Sequence, residues 1–304
     1  MNPVPTPLHS RTPALLPDTH LLPKVDAPIS PATAPTGQPV PIIRTEKPGP
    51  WLQIATVAGF EWNQVSLPIC NLPGDLEGLR ILHLTDFHLR GNLDRGYQHL
   101  IARVRQKPPD IILFTGDFVD DRFDYRKGLP QVRELVKSLP SRLGFYAILG
   151  NHDGDLLGAA LSDLNITLVD HRQISLKAGL ATLELIGVAG VDRLDMDLHW
   201  LRNLEKKTDR TVRIAMSHYP DTLEKSEFLK PDLFLCGHTH GGQICLPGGA
   251  PIFRHDSLPR RLCTGIHRAF GTWLIVNRGM GYSSGLRMRL FCPAEAIEIT
   301  LTRV

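Results

Sequence analysis

The chain has 304 residues, 42% of them hydrophobic, which is enough for one large domain or two small ones with a sizeable core. Its formal net charge is only +3, which excludes a protein that attracts nucleic acid through overall charge. Five cysteines at wide spacing, without a Cys-x-x-Cys pair, indicate reduced thiols rather than a disulfide framework.

Residues 1–50 hold 13 of the 25 prolines, mixed with Thr, Ala and Ser. Such a segment cannot form a regular ladder or bury much surface, so we expect a disordered tail and a single folded domain over 51–304. The tail is either dispensable or a proline-rich docking segment. Neither a secretory signal nor an apolar run of about eighteen residues is present. We therefore expect a cytoplasmic protein without a transmembrane helix, and peripheral contact with the inner membrane face stays open.

The predicted elements alternate between strands and helices, which is typical of an α/β fold. Helices are predicted at about 95–106, 127–138, 155–163 and 195–205. Strands are predicted at 54–68 (one or two), 79–85, 110–115, 145–149, 166–169, 173–177, 182–189, 212–217, 233–236, 272–276, 288–291 and 295–302.

Polar turns follow five of the predicted strands. They carry Asp86 and His88, then Asp117, then Asn151 and His152, then His218, and finally His238 and His240. Open α/β sheets bind ligands at the carboxyl ends of their strands, so we expect these side chains to meet. The last two histidines lie two residues apart and face the same point if the segment is extended.

Seven of these groups can donate to a metal, more than the four that a structural zinc ion needs. They suit two divalent cations about 3.5–4 Å apart with a bridging carboxylate, as in two-metal hydrolases. Mixed imidazole, carboxylate and amide donors favour Mn²⁺, Fe²⁺/³⁺ or Zn²⁺ over Ca²⁺. The predicted ligands are Asp86, His88, Asp117, Asn151, His218, His238 and His240.

These motifs resemble those of the calcineurin-like metallophosphoesterase superfamily over residues 79–304. The matching motifs are Asp86-x-His88, Gly116-Asp117-Phe-Val-Asp120, Gly150-Asn151-His152-Asp153, His218 and Gly237-His238-Thr-His240. The resemblance implies a four-layer αββα sandwich whose loops hold two metal ions at one end. Asp86, His88 and His240 would hold the first. The second would be held by Asn151, His218 and His238, with Asp117 bridging.

The same resemblance implies a role for each catalytic residue. His152 would contact the substrate phosphate or protonate the leaving oxygen, and Asp153 would orient it. Asp120 is predicted to be a hydrogen-bond partner rather than a ligand. Hydrolysis would proceed through a hydroxide bridging the two metals.

The segments 237–247, 277–281 and 289–295 are similar to a bacterial YkuE-like branch of the superfamily. That branch includes enzymes resembling UDP-2,3-diacylglucosamine pyrophosphohydrolases of lipid A biosynthesis and others acting on phospholipids or simple phosphodiesters. Many of its members begin with a transmembrane helix, where this chain has the proline-rich tail.

Seven arginines and one acid lie between Leu246 and Cys292. Arginine suits phosphate recognition, so Arg260, Arg261 and Arg278 are predicted to bind substrate. The alternative is a merely solvated basic face.

The residues therefore favour a phosphoesterase cleaving a phosphodiester or pyrophosphate bond, in a small or lipid-linked substrate. Two alternatives remain at this point. One is a nuclease or cyclic-nucleotide phosphodiesterase. The other is a non-catalytic scaffold on the same fold, which the completeness of the ligand set opposes.

Overall fold

The computed structural model describes residues 41–188, 194–253, 259–283 and 285–304. The α-helices in these ranges are α1 (Arg95–Gln106), α2 (Leu129–Ser138), α3 (Gly154–Ala160), α4 (Leu194–Arg202) and α5 (Thr222–Lys225). The strands are β1 (Ile42–Thr45), β2 (Leu52–Ile54), β3 (Phe60–Ile69), β4 (Arg80–Leu84), β5 (Ile111–Thr115), β6 (Phe145–Ile148), β7 (Thr167–Leu168), β8 (Gln173–Ala178), β9 (Ala181–Gly187), β10 (Thr211–Met216), β11 (Leu233–Cys236), β12 (Gly265–Ala269), β13 (Thr272–Val276), β14 (Met288–Leu290) and β15 (Ala294–Arg303).

Two large sheets carry most of these strands. One has the order β1-β3-β15-β4-β5-β6-β7, and β4, β5, β6 and β7 run parallel. The other has the order β12-β13-β11-β10-β9-β8, with a parallel centre and antiparallel edges. A small ribbon pairs β2 with β14.

Apolar side chains form three cores, one between the two sheets and one on the outer face of each sheet. Between them pack residues such as Ile81, Leu113, Ile214 and Leu235, all fully buried. Helices α1, α2 and α3 contribute to the outer core of the first sheet, and α4 contributes to that of the second. Strands covered on both faces need continuous apolar runs, as β5 shows with Ile-Ile-Leu-Phe. The predicted αββα sandwich is confirmed.

One strand lies before the predicted domain boundary near Trp51. Residues 42–45 form β1, which pairs antiparallel with Asn63–Ser66 of β3. This strand lies at a sheet edge, directly after Pro41, which is where a proline can precede a strand without removing a ladder hydrogen bond. Residues 42–45 contain β-branched side chains that favour a strand, but the many prolines around them obscured this signal. Residues 1–40 lie outside the described ranges, so their predicted disorder stays a prediction.

The carboxyl ends of five strands meet along one edge of the sandwich. The first sheet brings the loops after β4, β5 and β6, and the second brings those after β10 and β11. In the described residues, no helix is long and apolar enough to cross a bilayer.

Candidate metal centre

Asp86 directs one carboxylate oxygen into the site and uses the other to hold the loops. Its Oδ2 accepts hydrogen bonds from the Thr85 hydroxyl, at 2.7 Å, and from the backbone N–H of His238, at 3.0 Å. Oδ1 lies 3.3 Å from Nε2 of His240 and 3.8 Å from Nε2 of His88. The Oδ1 atom is therefore placed to share a cation with these two imidazoles.

The two imidazoles of this first cluster face each other through their Nε2 atoms, 3.0 Å apart. Behind His88, its Nδ1 lies 3.5 Å from Oδ1 of Asp120, whose other oxygen is 2.8 Å from Arg90. Asp120 thus contacts the far side of a ligand, as expected of a residue that orients an imidazole rather than one that binds the metal.

A second cluster forms around Asn151. Its Oδ1 lies 3.0 Å from Nε2 of His218 and 3.1 Å from Nδ1 of His238. The Nδ1–H of His218 donates to the carbonyl of Thr115 at 2.7 Å. This hydrogen bond sets the tautomer and turns Nε2 into the cluster.

Asp117 joins the two clusters through a single oxygen. Its Oδ2 lies 3.3 Å from Nε2 of His88 and 3.3 Å from Nε2 of His218. Its Oδ1 instead accepts the backbone N–H of His152, at 2.8 Å. Gly150 permits this packing, because a Cβ there would meet Oδ1 of Asp117 at 2.2 Å.

The spacing and the chemistry of the donors fit two metal ions. Ligand atoms about 2.0–2.2 Å from one cation lie about 3–3.5 Å apart, which matches most of the contacts within each cluster. Each cluster combines imidazole nitrogen with carboxylate or amide oxygen, the mixture that suits Mn²⁺, iron or Zn²⁺. Among groups of Asp and His residues with converging donor atoms, Asp86–His88–His240 coincides with the first cluster, and Asp86–Asp117–His218 connects the first cluster to the second. A further group, His88–Asp120–His152, lies on the other side of His88.

The backbone of the ligand loops is strained. Five non-glycine ligands have φ between 44° and 69°, in the left-handed region that costs about 1–3 kcal/mol each. Such strain persists where the surrounding structure imposes it, and here it turns consecutive side chains towards one point. The five residues are Asp86, His88, Asp117, His238 and His240.

The charges of the metal-free site are strongly coupled. Burial opposes ionisation of both carboxylates, but the pKa of Asp86 is held well below its usual range by His240, and that of Asp117 by His218. Burial lowers the pKa of His88, yet Asp117 and other carboxylates raise it to about 10. The pKa of His218 is lowered by burial and raised by Asp117 in the same way, to about 9. Burial keeps the pKa of His240 well below its usual value.

His152 and Asp153 have separate partners. The Nδ1 of His152 donates to the carbonyl of Asp120 at 2.7 Å, and this hydrogen bond orients the ring. The buried Asp153 carboxylate accepts backbone N–H groups of the two ligand loops, from Gly150, Asp117, Phe118 and Val119. Asp153 therefore braces the loops that present Asp117 and Asn151, and its catalytic role stays a prediction.

The predicted substrate arginines separate into two kinds. Arg278 is largely buried, and its Nη2 lies 2.5 Å from Glu61 and 3.0 Å from Glu295, so it supports the fold. Its predicted contact with substrate stays a prediction. Arg260 and Arg261 are exposed on a 3₁₀ turn. This turn lies beside the site, since the Thr239 hydroxyl donates a hydrogen bond to the carbonyl of Cys263 at the end of the turn.

The other four arginines between Leu246 and Cys292 also include buried and exposed side chains. Arg268 stacks on Trp273, and Arg289 is fully buried. Arg287 is exposed. Arg254 lies outside the described residues.

Comparison with known proteins identifies the family. Residues 79–242, more than half of the chain, match the calcineurin-like phosphoesterases. The chain belongs to the calcineurin-like phosphoesterase family. The matched residues contain every ligand of the two clusters, and the phosphoesterase is a metal-dependent hydrolase of phosphoric esters.

Relatives confirm the YkuE-like branch. The phosphoesterase is 29% identical to the uncharacterized metallophosphoesterase YkuE of Bacillus subtilis, over 76% of this chain and 81% of that protein. It is 28% identical to the phosphodiesterase YaeI of Escherichia coli, over 73% and 82%. It is also 28% identical to a zebrafish transmembrane protein with a metallophosphoesterase domain, over 78% of this chain but only 56% of that protein.

Replacing Asp117 by Asn should reduce the metal content of both clusters and lower turnover by orders of magnitude, because one charged oxygen serves both. Asn keeps an acceptor for the backbone N–H of His152, so the loop should persist. Two measurements check this expectation: metal content by mass spectrometry, and turnover. Asp121→Asn, in the same loop but paired with Lys127, is the control and should change neither. Normal metal content in Asp117→Asn contradicts the bridging role.

Metal binding should release protons and strengthen with pH. His88 and His218 carry raised pKa values of about 10 and 9, so both are protonated in the metal-free protein at pH 7. A metal binds only the neutral imidazole, so binding at pH 7 should release about two protons from these rings, and affinity should rise up to about pH 9–10. Calorimetry in buffers of different ionisation enthalpy measures the release. Heats that are independent of the buffer would refute this expectation.

Proposed function

We propose that this phosphoesterase uses two divalent cations to hydrolyse a phosphodiester or pyrophosphate bond in a lipid-linked substrate at a membrane surface. The observation that carries the two-cation part is the Oδ2 atom of Asp117, 3.3 Å from an imidazole nitrogen of each cluster. A carboxylate oxygen in that position suits a bridge between two metal ions. When bound, the cations would activate a water molecule and neutralise charge on the phosphoryl group.

The chain's own residues would orient the substrate and move the leaving-group proton. His152 sits beside the first cluster, with its ring centroid 4.7 Å from that of His88. Because its Nδ1 is held by the Asp120 carbonyl, its Nε2 lies on the opposite edge of the ring. That nitrogen is suited to contact a phosphoryl oxygen or to protonate the leaving oxygen.

An apolar ridge next to the metal centre supports a lipid-linked substrate. It consists of exposed large side chains on the β2–β14 ribbon and on the segment that follows His240: Trp51, Leu52, Ile54, Leu246, Ile252, Phe253 and Leu286. The ribbon and the segment after His240 lie next to each other. The backbone N–H of Phe291 donates to the Trp51 carbonyl, and Ile244 forms a β-bridge with Leu290 on the other side of β14. Exposed apolar side chains grouped in this way are typical of contact surfaces for membranes or proteins.

Positive charge lies near the ridge and the site. Arg260 and Arg261 are exposed beside the His238–His240 loop. A crevice next to His88 is lined by Arg90 and Arg287 together with Asp94, and Arg90 is paired with Asp120, so Arg260 and Arg261 supply most of this charge. Apolar side chains beside arginines suit the interface of a membrane with anionic headgroups. UDP-2,3-diacylglucosamine and phospholipids are substrates of this chemical class.

The alternatives receive less support. The Escherichia coli relative YaeI is named a phosphodiesterase, which is consistent with a diester substrate. A single-stranded nucleic acid would need a row of aromatic platforms, whereas the ridge is largely aliphatic. A non-catalytic scaffold would not need the complete donor set together with His152.

Replacing His152 by Ala should lower turnover about 10²–10⁴-fold, the usual contribution of a general acid, while both metals stay bound. The assay uses the manganese-supplemented protein with bis-p-nitrophenyl phosphate, and metal content is measured in the same sample. A loss of metal as large as that in Asp117→Asn would show that His152 is a ligand, and the assigned role would be wrong.

Replacing both Arg260 and Arg261 by Ala should lower the specificity constant for a lipid-linked or nucleotide-linked substrate about tenfold, with a clear salt dependence. Bis-p-nitrophenyl phosphate should be affected far less, and binding to anionic liposomes should weaken. The matched control is Lys206→Ala with Arg210→Ala. This pair is also exposed, but it precedes β10 at the end opposite His218.

Comparing the two double variants shows whether Arg260 and Arg261 bind substrate or lipid, or only support their loop. If Arg260 and Arg261 bind substrate or lipid, only their variant shows the selective loss. Equal losses on both substrates with unchanged liposome binding would leave a generic phosphodiesterase. No activity of the wild type on any phosphate ester, with both metals bound, would overturn the proposed function itself.

A further inference from the structure

Arg289 is the largest fully buried side chain in the described part of the protein. It extends from β14 into the space behind the first metal cluster. Its neighbour Arg278 has two carboxylate partners, whereas the strongest contacts of Arg289 are with backbone carbonyl oxygens. A buried cation is costly unless its donors are satisfied, so this arrangement needs a physical reason.

The guanidinium connects three chain segments. Its Nε donates to the Gly281 carbonyl at 2.9 Å, and its Nη2 donates to the carbonyls of Arg278 and Gly281, both at 2.7 Å. Its Nη1 lies 3.4 Å from the carbonyl oxygens of both His240 and Cys292. One planar group with five N–H donors thus holds the 278–281 loop against the His240 turn.

The 278–281 loop in turn supports Asp86. The backbone N–H of Gly281 donates to the Asp86 carbonyl at 2.6 Å, and that of Met280 donates to the Thr85 carbonyl at 3.3 Å. A Cβ on Gly279 would meet the Asp86 Cβ at 2.5 Å, so the loop lies directly on this ligand. Displacement of the loop would therefore move the Asp86 carboxylate.

Arg289 also contacts the second ligand of the same cluster. Its Nη1 lies 3.4 Å from the His240 carbonyl oxygen, and its Nη2 lies 3.3 Å from the ring Nδ1, on the edge opposite Nε2. A guanidinium only donates, and a ring that binds a metal through Nε2 carries its proton on Nδ1, so Arg289 positions His240 through the carbonyl and not through the ring. Two ligands of the other cluster are anchored elsewhere, with His218 held by the Thr115 carbonyl and the Asn151 loop braced by Asp153. The third, His238, is tied to the first cluster through its backbone N–H, which donates to Asp86. The support for the two clusters is thus unequal.

We infer that Arg289 is a positioning residue for the first metal cluster, holding Asp86 and His240 from behind in the geometry that binds one of the two cations. The inference rests on the two-cation assignment of the proposed function. Loss of a residue that orients metal ligands typically lowers metal affinity about ten- to a hundredfold. The second cation should be affected little.

The test uses Arg289→Met, which keeps the length of the side chain but removes every donor, and Arg289→Lys, which keeps the charge but not the planar fork. Manganese binding to the metal-free full chain is followed by calorimetry and by metal content after gel filtration. We expect one site weakened about ten- to a hundredfold in both variants and the other weakened much less.

Arg213→Met is the matched control. Arg213 is another buried arginine, paired with Glu184 and donating to the carbonyls of Leu229 and Glu205 in the second sheet. Its loss should lower the thermal midpoint of the metal-free protein as the loss of Arg289 does, while both metal affinities stay at wild-type values. A general loss of stability is thereby separated from a defect at one cluster.

Asn151→Ala identifies which site is weakened. This change removes a ligand of the second cluster, so the remaining metal occupies the first. Adding Arg289→Met or Arg289→Lys to Asn151→Ala should then weaken that remaining site by the same factor as in the single variant. If Arg289→Met does not fold, Arg289→Lys provides the same comparison.

Two results would overturn the inference. One is unchanged affinity at both sites in Arg289→Lys, and the other is an equal loss at both sites. The proposed function fails differently, since a wild-type chain that binds fewer than two cations would already contradict it before any variant is compared.

Discussion

Two buried carboxylates that face the same small volume impose the central constraint on this structure. Asp86 and Asp117 are almost inaccessible to water, and isolated buried charges of like sign would be strongly unfavourable. The two carboxylates raise the pKa values of His88 and His218 to about 10 and 9, which favours positive charge on both imidazoles. Two divalent cations would supply it more fully. The donor geometry, the strained loops and the buried bracing groups are all consistent with a site that binds positive charge.

The site also depends on how the two sheets pack. The first sheet supplies Asp86, Asp117 and Asn151 at the ends of its strands, and the second supplies His218, His238 and His240. Each metal cluster therefore takes ligands from both sheets. The apolar layer between the sheets sets the distance between the two halves of each cluster, so its close packing contributes directly to the metal geometry.

The convergence of the seven predicted ligands could be predicted from sequence because continuous apolar runs end in polar turns, and the parallel strands carry those turns to one edge. Edge strands were harder. The chain 265–269 alternates weakly and was not predicted, and 42–45 was hidden among prolines. The role of Arg278 was not predictable, because its partner Glu61 lies more than 200 residues away in sequence. Asp153 and Arg289 act through backbone groups, which leave no pattern in the side chains.

The position of β15 has a consequence for how the protein folds. This strand lies between β3 and β4, and it pairs Ile297 with His83 across more than 200 residues. Contacts between residues so distant in sequence require the closure of a long loop before they gain any stabilisation, which slows folding. The strand that carries Asp86 therefore lacks one neighbour until late in folding. A nascent chain would expose that open edge to other strands, so the metal ligands would assemble only after the step most prone to misassociation.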